Sequence, residues 1–338
     1  MSHAALSPIP ASAIPGFRIG HWTSLEAGTG CTAIVCEQGA VGGVDVRGGA
    51  PATRETDLLR PEETVGAVHA VMLSGGSAFG LEAASGAARE LERRGIGLPV
   101  GPARVPIVTG ACLFDLMFGD PQARPDLAAG AAAVSDAFEG SDSDAEGCVG
   151  AGTGATVGKL LGPGRVMKGG LGARAFALGP LQVGAIAAVN ACGNVVDPHD
   201  GAPVAGLLSE EGDRVLDMEG AMLEAGAALA MPLAQERANT TISCVFTNAR
   251  LTKAQATKVA QMAADAYAHT IRPTHTTNDG DAVFALASGE IVADAAEIPL
   301  DLIGLVATRA LEAAIVAGAR EARALHGTPA AGNLAGQA

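Results

Sequence analysis

Two rhythms of apolar and polar residues run along this chain. In the first 60 residues short apolar runs are broken by glycine, as in VGGVDVRGGAPATRETD at 41–57, and this predicts short strands joined by glycine turns. AVHAVMLSGG at 67–76 reads as a strand that leads into SAFGLEAASGAARELERRG at 77–95, where the spacing becomes helical and Gly95 marks the stop. Short apolar runs at 98–100 and 105–108 precede a helix near 125–138, an acidic solvated loop at 138–147 and a glycine-spaced strand at 149–159. Residues 173–194 read as two apolar strands meeting at Gly179-Pro180, with Gly193-Asn194 as the next turn.

A polar, helix-forming stretch at 210–238 leads to NTTISCVFTNA at 239–249, whose β-branched residues predict a strand. Thr252 is placed to cap a helix over 252–269, after which the turn TTNDGD (276–281) precedes a strand AVFALA (282–287). The last apolar stretch, 299–327, carries Arg309, Glu312, Arg320 and Glu321, so it predicts a long buried helix rather than a membrane span. Hairpins and strand–helix units are interleaved, which favours a mixed sheet covered by helices; there is no repeat of fixed period.

Composition sharpens this picture. Of 338 residues 48% are hydrophobic but only 3% aromatic, with 46 glycines, so the core is expected to be packed from Ala, Val, Leu and Ile on closely spaced elements. A charged fraction of 17% excludes general disorder. The net charge of -14 argues against a nucleic-acid partner, which would need Lys and Arg to neutralise phosphates. Six cysteines (Cys31, Cys36, Cys112, Cys148, Cys192, Cys244) form no CxxC pair or Cys/His cluster, so no metal is expected and they read as small core residues. The first 16 residues show neither a basic leader nor an apolar core, and the expectation is a cytoplasmic protein.

Several motifs invite a chemical reading. The run Gly150 to Lys159 fails as a phosphate loop, because Thr153 stands where its first glycine belongs and Leu160 where the magnesium-binding hydroxyl belongs. Gly75-Gly76-Ser77 lacks the second glycine of a nucleophile elbow, and Ser77 reads as a helix cap. Asn239-Thr240 has three readings: a glycosylation sequon, an ordinary strand start, or a self-cleavage site. In the last, the Thr240 hydroxyl attacks the Asn239 carbonyl, and hydrolysis of the ester frees a threonine whose α-amino group, with a pKa near 8, serves its own hydroxyl as base. Asp279 and Asp281 lie at i and i+2, on one side of an extended segment, or else form a plain acidic turn. Lys168 and Asn190 are polar residues in glycine-rich or apolar surroundings; a solvated lysine and a turn-capping asparagine are the alternatives.

Taken together, HAVMLSGGSAFGLEAASG, VPIVTGACLFDL, GTGATVGK, MKGGLG, VNACGNVVDP, NTTISCVFTNARLTKAQ and THTTNDGDAVFALA, in this order between about residues 15 and 325, resemble the self-processing N-terminal-nucleophile amidohydrolases. That family includes L-aminopeptidase D-amidase/D-esterases, β-peptidyl aminopeptidases and the endo-type 6-aminohexanoate (nylon) oligomer hydrolase. The resemblance implies an α/β (α+β) fold, a four-layer αββα sandwich with mixed sheets, in which a single domain over 1–338 is cut into an α chain 1–239 and a β chain 240–338. The aminopeptidase branch has Gly-Ser at the cut and Ser-x-Glu downstream, whereas Asn239-Thr240 and Asp279-Gly280-Asp281 look like the oligomer-hydrolase branch. By this likeness Thr240 is the nucleophile, Asp279 and Asp281 position or activate it, and Lys168 and Asn190 bind near the reacting carbonyl. Phe114 stands where some aminopeptidases carry a functional tyrosine.

The expected function is therefore a cofactor-free amidohydrolase of small linear amides, endo-type on 6-aminohexanoate-like oligoamides, assembled as a homo-oligomer of αβ units, with neither nucleic acid nor membrane as partner. A β- or D-aminopeptidase is the runner-up. An uncleaved anion-binding protein and an ornithine-type acetyltransferase, which also cuts before threonine, are the rivals from other classes.

Overall fold

The structure is a computed structural model describing residues 6–140, 142–228, 239–291 and 298–334. Eight strands carry the architecture: β1 (Arg18–Ser24), β2 (Thr29–Val46), β3 (Val68–Ser74), β4 (Val108–Cys112), β5 (Leu171–Leu178), β6 (Leu181–Asn190), β7 (Thr240–Thr247) and β8 (Ala282–Ala287). The four main helices are α1 (Glu82–Arg93), α2 (Leu127–Glu139), α3 (Lys253–Ala263) and α4 (Leu300–Arg320). β2 is shared between two sheets. Its first half, to Val35, pairs with β1 and β3; after an irregularity between Val35 and Ala40 its end pairs with β8. From β8 the order continues through β7, β6 and β5, and from β3 it continues to β4. The pairs β7–β8 and β3–β4 are parallel and the other main pairs antiparallel, so the sheets are mixed as expected.

Strict alternation along the strands produces four layers. On β2, Cys31, Ala33 and Val35 pack against α1 and α2, while Ile34 and Cys36 face the second sheet. On β6, Ile186 and Ala188 meet them in the inter-sheet core, and Ala185, Ala187 and Val189 pack outward with α3 and α4. Ile242, Cys244 and Phe246 of β7 and Ala282, Phe284 and Leu286 of β8 complete the inner layer. With so few aromatics, close approach does the packing: a Cβ on Gly172 would lie 1.9 Å from the Ala314 carbonyl oxygen, and one on Gly43 2.3 Å from the Thr257 nitrogen.

Most expected elements are found. Gly95 ends α1 with a positive φ, Gly179-Pro180 joins β5 to β6, and Thr252 caps α3 in a reciprocal capping box with Gln255. α4 has the length and apolarity of a membrane span, but 78% of its apolar window is buried in the fold.

Other expectations need correction. Residues 149–159 are not one strand but a 3-10 turn at Gly150–Gly152 and a two-residue strand Thr156–Val157, because Gly150 and Gly158 adopt positive φ and bend the chain. Ser77 does not cap a helix: it lies inside a 3-10 turn whose cap is Gly76, and the Gly76 N–H donates to Asp115 Oδ1 at 2.7 Å. The helix expected over 210–238 is found at Met218–Ala227; residues 229–238 lie outside the described residues. All six cysteines are free, but only four are buried, Cys148 and Cys192 being partly exposed.

Candidate active site

Strand direction gathers residues that are far apart in sequence. Because β7 and β8 run parallel in register, Ile242 beside Ala282, the segments just before them also meet, and Asn239 bridges to Asp279. β6 runs antiparallel on the other side of β7 and ends with Asn190 opposite Thr240. Asn190, Asn239, Thr240, Asp279 and Asp281 are all buried at this one place.

The Thr240 hydroxyl donates to the carbonyl oxygen of Asn239, the residue before it. The same oxygen accepts the Gly280 N–H at 3.0 Å. Asp281 accepts the Thr241 N–H on Oδ1 at 2.8 Å and the His275 N–H on Oδ2 at 3.1 Å, with His275 Nδ1 2.9 Å from Oδ2. The His275 ring stacks on Tyr267 at 5.5 Å, whose buried hydroxyl lies 2.8 Å from Ser243 Oγ and 3.0 Å from the Thr241 carbonyl. Asp279 Oδ2 accepts the Thr276 N–H at 2.7 Å. Burial, and next the neighbouring Asp281 charge, push the Asp279 carboxyl above the usual carboxylate range, so protonation is easier there than in water.

Two lysines flank this cluster, Lys168 buried and Lys159 partly buried. Lys159 Nζ donates to Asn190 Oδ1 at 2.6 Å and to the Asn190 carbonyl at 3.1 Å. Burial lowers its pKa to about 7, against the opposing charges of Cys192, Asp279 and Asp115. Asn190 Nδ2 donates to the Phe114 carbonyl at 2.9 Å, and Asn190 Oδ1 also accepts the Thr156 N–H at 3.0 Å. Lys168, expected near the reacting carbonyl, instead directs Nζ to the carbonyls of Thr153 and Ala155, at 2.8 and 2.5 Å, and lies 4.3 Å from the Phe118 ring centre. Its pKa falls to about 8, mainly through burial. The structure thus brings Lys159 to Asn190 and uses Lys168 to hold the turn between them.

Lys159 does not stand out in the sequence, where the run around it reads as a glycine-spaced strand that fails as a phosphate loop. A lysine in an otherwise apolar, glycine-rich stretch was the available signal. His275 carried a similar one, a lone histidine among threonines six residues before Asp281. Among the described residues no group of three or more His, Cys, Asp or Glu is arranged to hold a metal ion.

The Lys159 shift has a measurable consequence. Between pH 7 and about 10 the unfolded chain keeps the Lys159 proton and the folded chain does not, so this residue makes stability rise with pH. In an uncleaved Thr240→Ala background, the stability of the Lys159 protein relative to its Lys159→Met counterpart is expected to improve by about 2 kcal/mol from pH 7 to 8.5. Denaturant titrations at the two pH values measure it; an unchanged difference contradicts the shift.

A model of peptidase family S58 matches residues 12–331. The chain belongs to peptidase family S58. It is an amide-bond hydrolase, and the family resemblance drawn from the motifs is borne out. An uncharacterised aminopeptidase of Mycobacterium leprae (strain TN) is 41% identical over 342 residues, covering 94% of this chain and 91% of the relative. A 6-aminohexanoate-oligomer endohydrolase of Kocuria sp. (strain KY2) is 31% identical over 280 residues, covering 82% of this chain and 74% of the relative. The solved L-aminopeptidase D-Ala-esterase/amidase of Ochrobactrum anthropi, described as a variant of the N-terminal-nucleophile hydrolase fold, matches 97% of this chain and 91% of its own with a TM-score of 0.67. At 19% identity that likeness carries the fold alone, and the expected α/β class with mixed sheets stands.

Proposed function

We propose that this S58 hydrolase cleaves itself between Asn239 and Thr240, and that the freed Thr240 then cuts internal bonds of linear oligoamides of the 6-aminohexanoate kind. The observation that carries the reading is the Thr240 hydroxyl resting on the Asn239 carbonyl, enclosed by Asp279, Asp281 and Asn190, with Lys159 bonded to Asn190. In the uncleaved chain Thr240 nitrogen is an amide and cannot act as base; after cleavage it is an amine placed to take the hydroxyl proton. Asp281, which accepts the next N–H along the strand, and Asp279, beside Asn239, position that amine. Asn190 and Lys159 bind near the reacting carbonyl, and Lys168 acts on them through the turn it holds.

An aminopeptidase is the second reading, favoured by the name of the 41% identical relative. It needs a carboxylate or similar group for the substrate ammonium, because an unpaired charge is costly to desolvate. The nearby Asp115 is engaged by Thr29 Oγ1 and the Gly76 N–H, both at 2.7 Å, and the Phe114 side chain has no polar group to offer. An uncharged acyl side is the reading these contacts support. With a 6-aminohexanoate oligomer and its N-acetylated form as substrates, mass spectrometry is expected to show cleavage of both, with internal fragments early. Release of single N-terminal units only, with no reaction on the blocked oligomer, assigns the aminopeptidase reading instead.

A further inference from the structure

Gly280 stands in the sequence as a mere spacer between two carboxylates, yet its backbone is the part of the Asp279-Gly280-Asp281 segment that touches the bond to be cut. Its N–H lies 3.0 Å from the Asn239 carbonyl oxygen, the atom on which the Thr240 hydroxyl also rests. When Thr240 Oγ1 attacks the Asn239 carbonyl carbon, a C–O bond forms and the carbonyl electron pair moves onto that oxygen. Negative charge therefore develops where the Gly280 N–H already points.

We propose that the Gly280 main-chain N–H is the oxyanion donor of the self-cleavage step, and that position 280 must lack a side chain so that donor and nucleophile share the space. This inference rests on the self-cleavage reading above. As the intermediate collapses, the C–N bond of the Asn239–Thr240 peptide breaks, the hydroxyl proton ends on the Thr240 nitrogen, and an ester links the Asn239 acyl group to Oγ1. Water then gives its hydroxyl to the acyl carbon and a proton to Oγ1.

The donor is fixed before the reaction. On one side the Asp279 carbonyl accepts the Ala50 N–H at 2.8 Å, and the Asp279 N–H donates to Thr276 at 3.1 Å. On the other, the Asp281 carbonyl accepts the Arg47 and Gly48 N–H groups at 3.1 and 3.2 Å. A donor held in this way needs no reorganisation as charge appears, which is the condition under which such a bond accelerates a reaction most. A Cβ at 280 would sit 2.9 Å from both Thr240 Oγ1 and the Ala50 carbonyl oxygen, tighter than side chains tolerate.

The test removes the N–H without adding an atom. Glycolic acid is placed at position 280 by nonsense suppression in cell-free translation, turning the Asp279–Gly280 amide into an ester, and cleavage is timed by gel and intact mass. Cleavage about 10²-fold slower than in the wild-type chain is expected, the usual effect of losing one oxyanion donor. Gly280→Ala, which keeps the N–H but crowds Oγ1, is expected to stay uncleaved. Cleavage of the glycolate chain within threefold of wild type overturns the oxyanion assignment, and wild-type cleavage by Gly280→Ala overturns the requirement for glycine. A wild-type chain that never cleaves in the same system refutes the self-cleavage reading, and the inference falls with it.

Discussion

Thr240→Ala is expected to purify as one 33.4 kDa chain and to lose amide hydrolysis by about 10⁴- to 10⁶-fold. Both effects have one cause. The hydroxyl that lies on the Asn239 carbonyl is the atom that would cut the chain, and the same atom would attack substrate once the chain is cut. Alanine keeps the strand start and its pairing with Asn190 but offers no nucleophile. Thr240→Ser, which keeps a hydroxyl at this position though a primary one, is expected to cleave and to hydrolyse at a reduced rate. A gel and a hydrolysis assay on the three proteins check this; an active Thr240→Ala protein would remove Thr240 from the mechanism.

Asp281→Asn is expected to fold, to mature slowly and, once fully cleaved, to hydrolyse amide about 10²- to 10⁴-fold more slowly than wild type. The amide oxygen can still accept the Thr241 N–H, so the strand is held, but the charge that faces His275 and the new amino terminus is gone. Asp279→Asn removes the second buried acid and is expected to act in the same direction. Kinetics of cleaved Asp281→Asn within tenfold of wild type refute its assignment.

What the sequence could and could not disclose follows from distance along the chain. The apolar and β-branched runs at 181–190, 240–247 and 282–287 mark buried strands directly, and the caps at Thr252 and Gly95 are local chemistry. Thr240, Asp279 and Asp281 could be picked out because each sits immediately before an apolar strand. That they meet depends on β7 and β8 being parallel neighbours in register, which no local pattern states. Lys168 and Lys159 show the limit most clearly: both are lysines in glycine-rich stretches, and only the fold of the 150–158 turn decides which ammonium reaches Asn190. The Gly280 N–H was invisible for the same reason, since a backbone donor leaves no mark on residue type.

Denaturing intact mass spectrometry of the purified wild-type protein, with N-terminal sequencing of the smaller species, tests the central claim most directly. The account predicts two chains, residues 1–239 and 240–338, of roughly 24 and 10 kDa at about 99 Da per residue, the smaller beginning Thr-Thr-Ile-Ser-Cys. A fully active preparation that contains only the intact 33.4 kDa chain contradicts it.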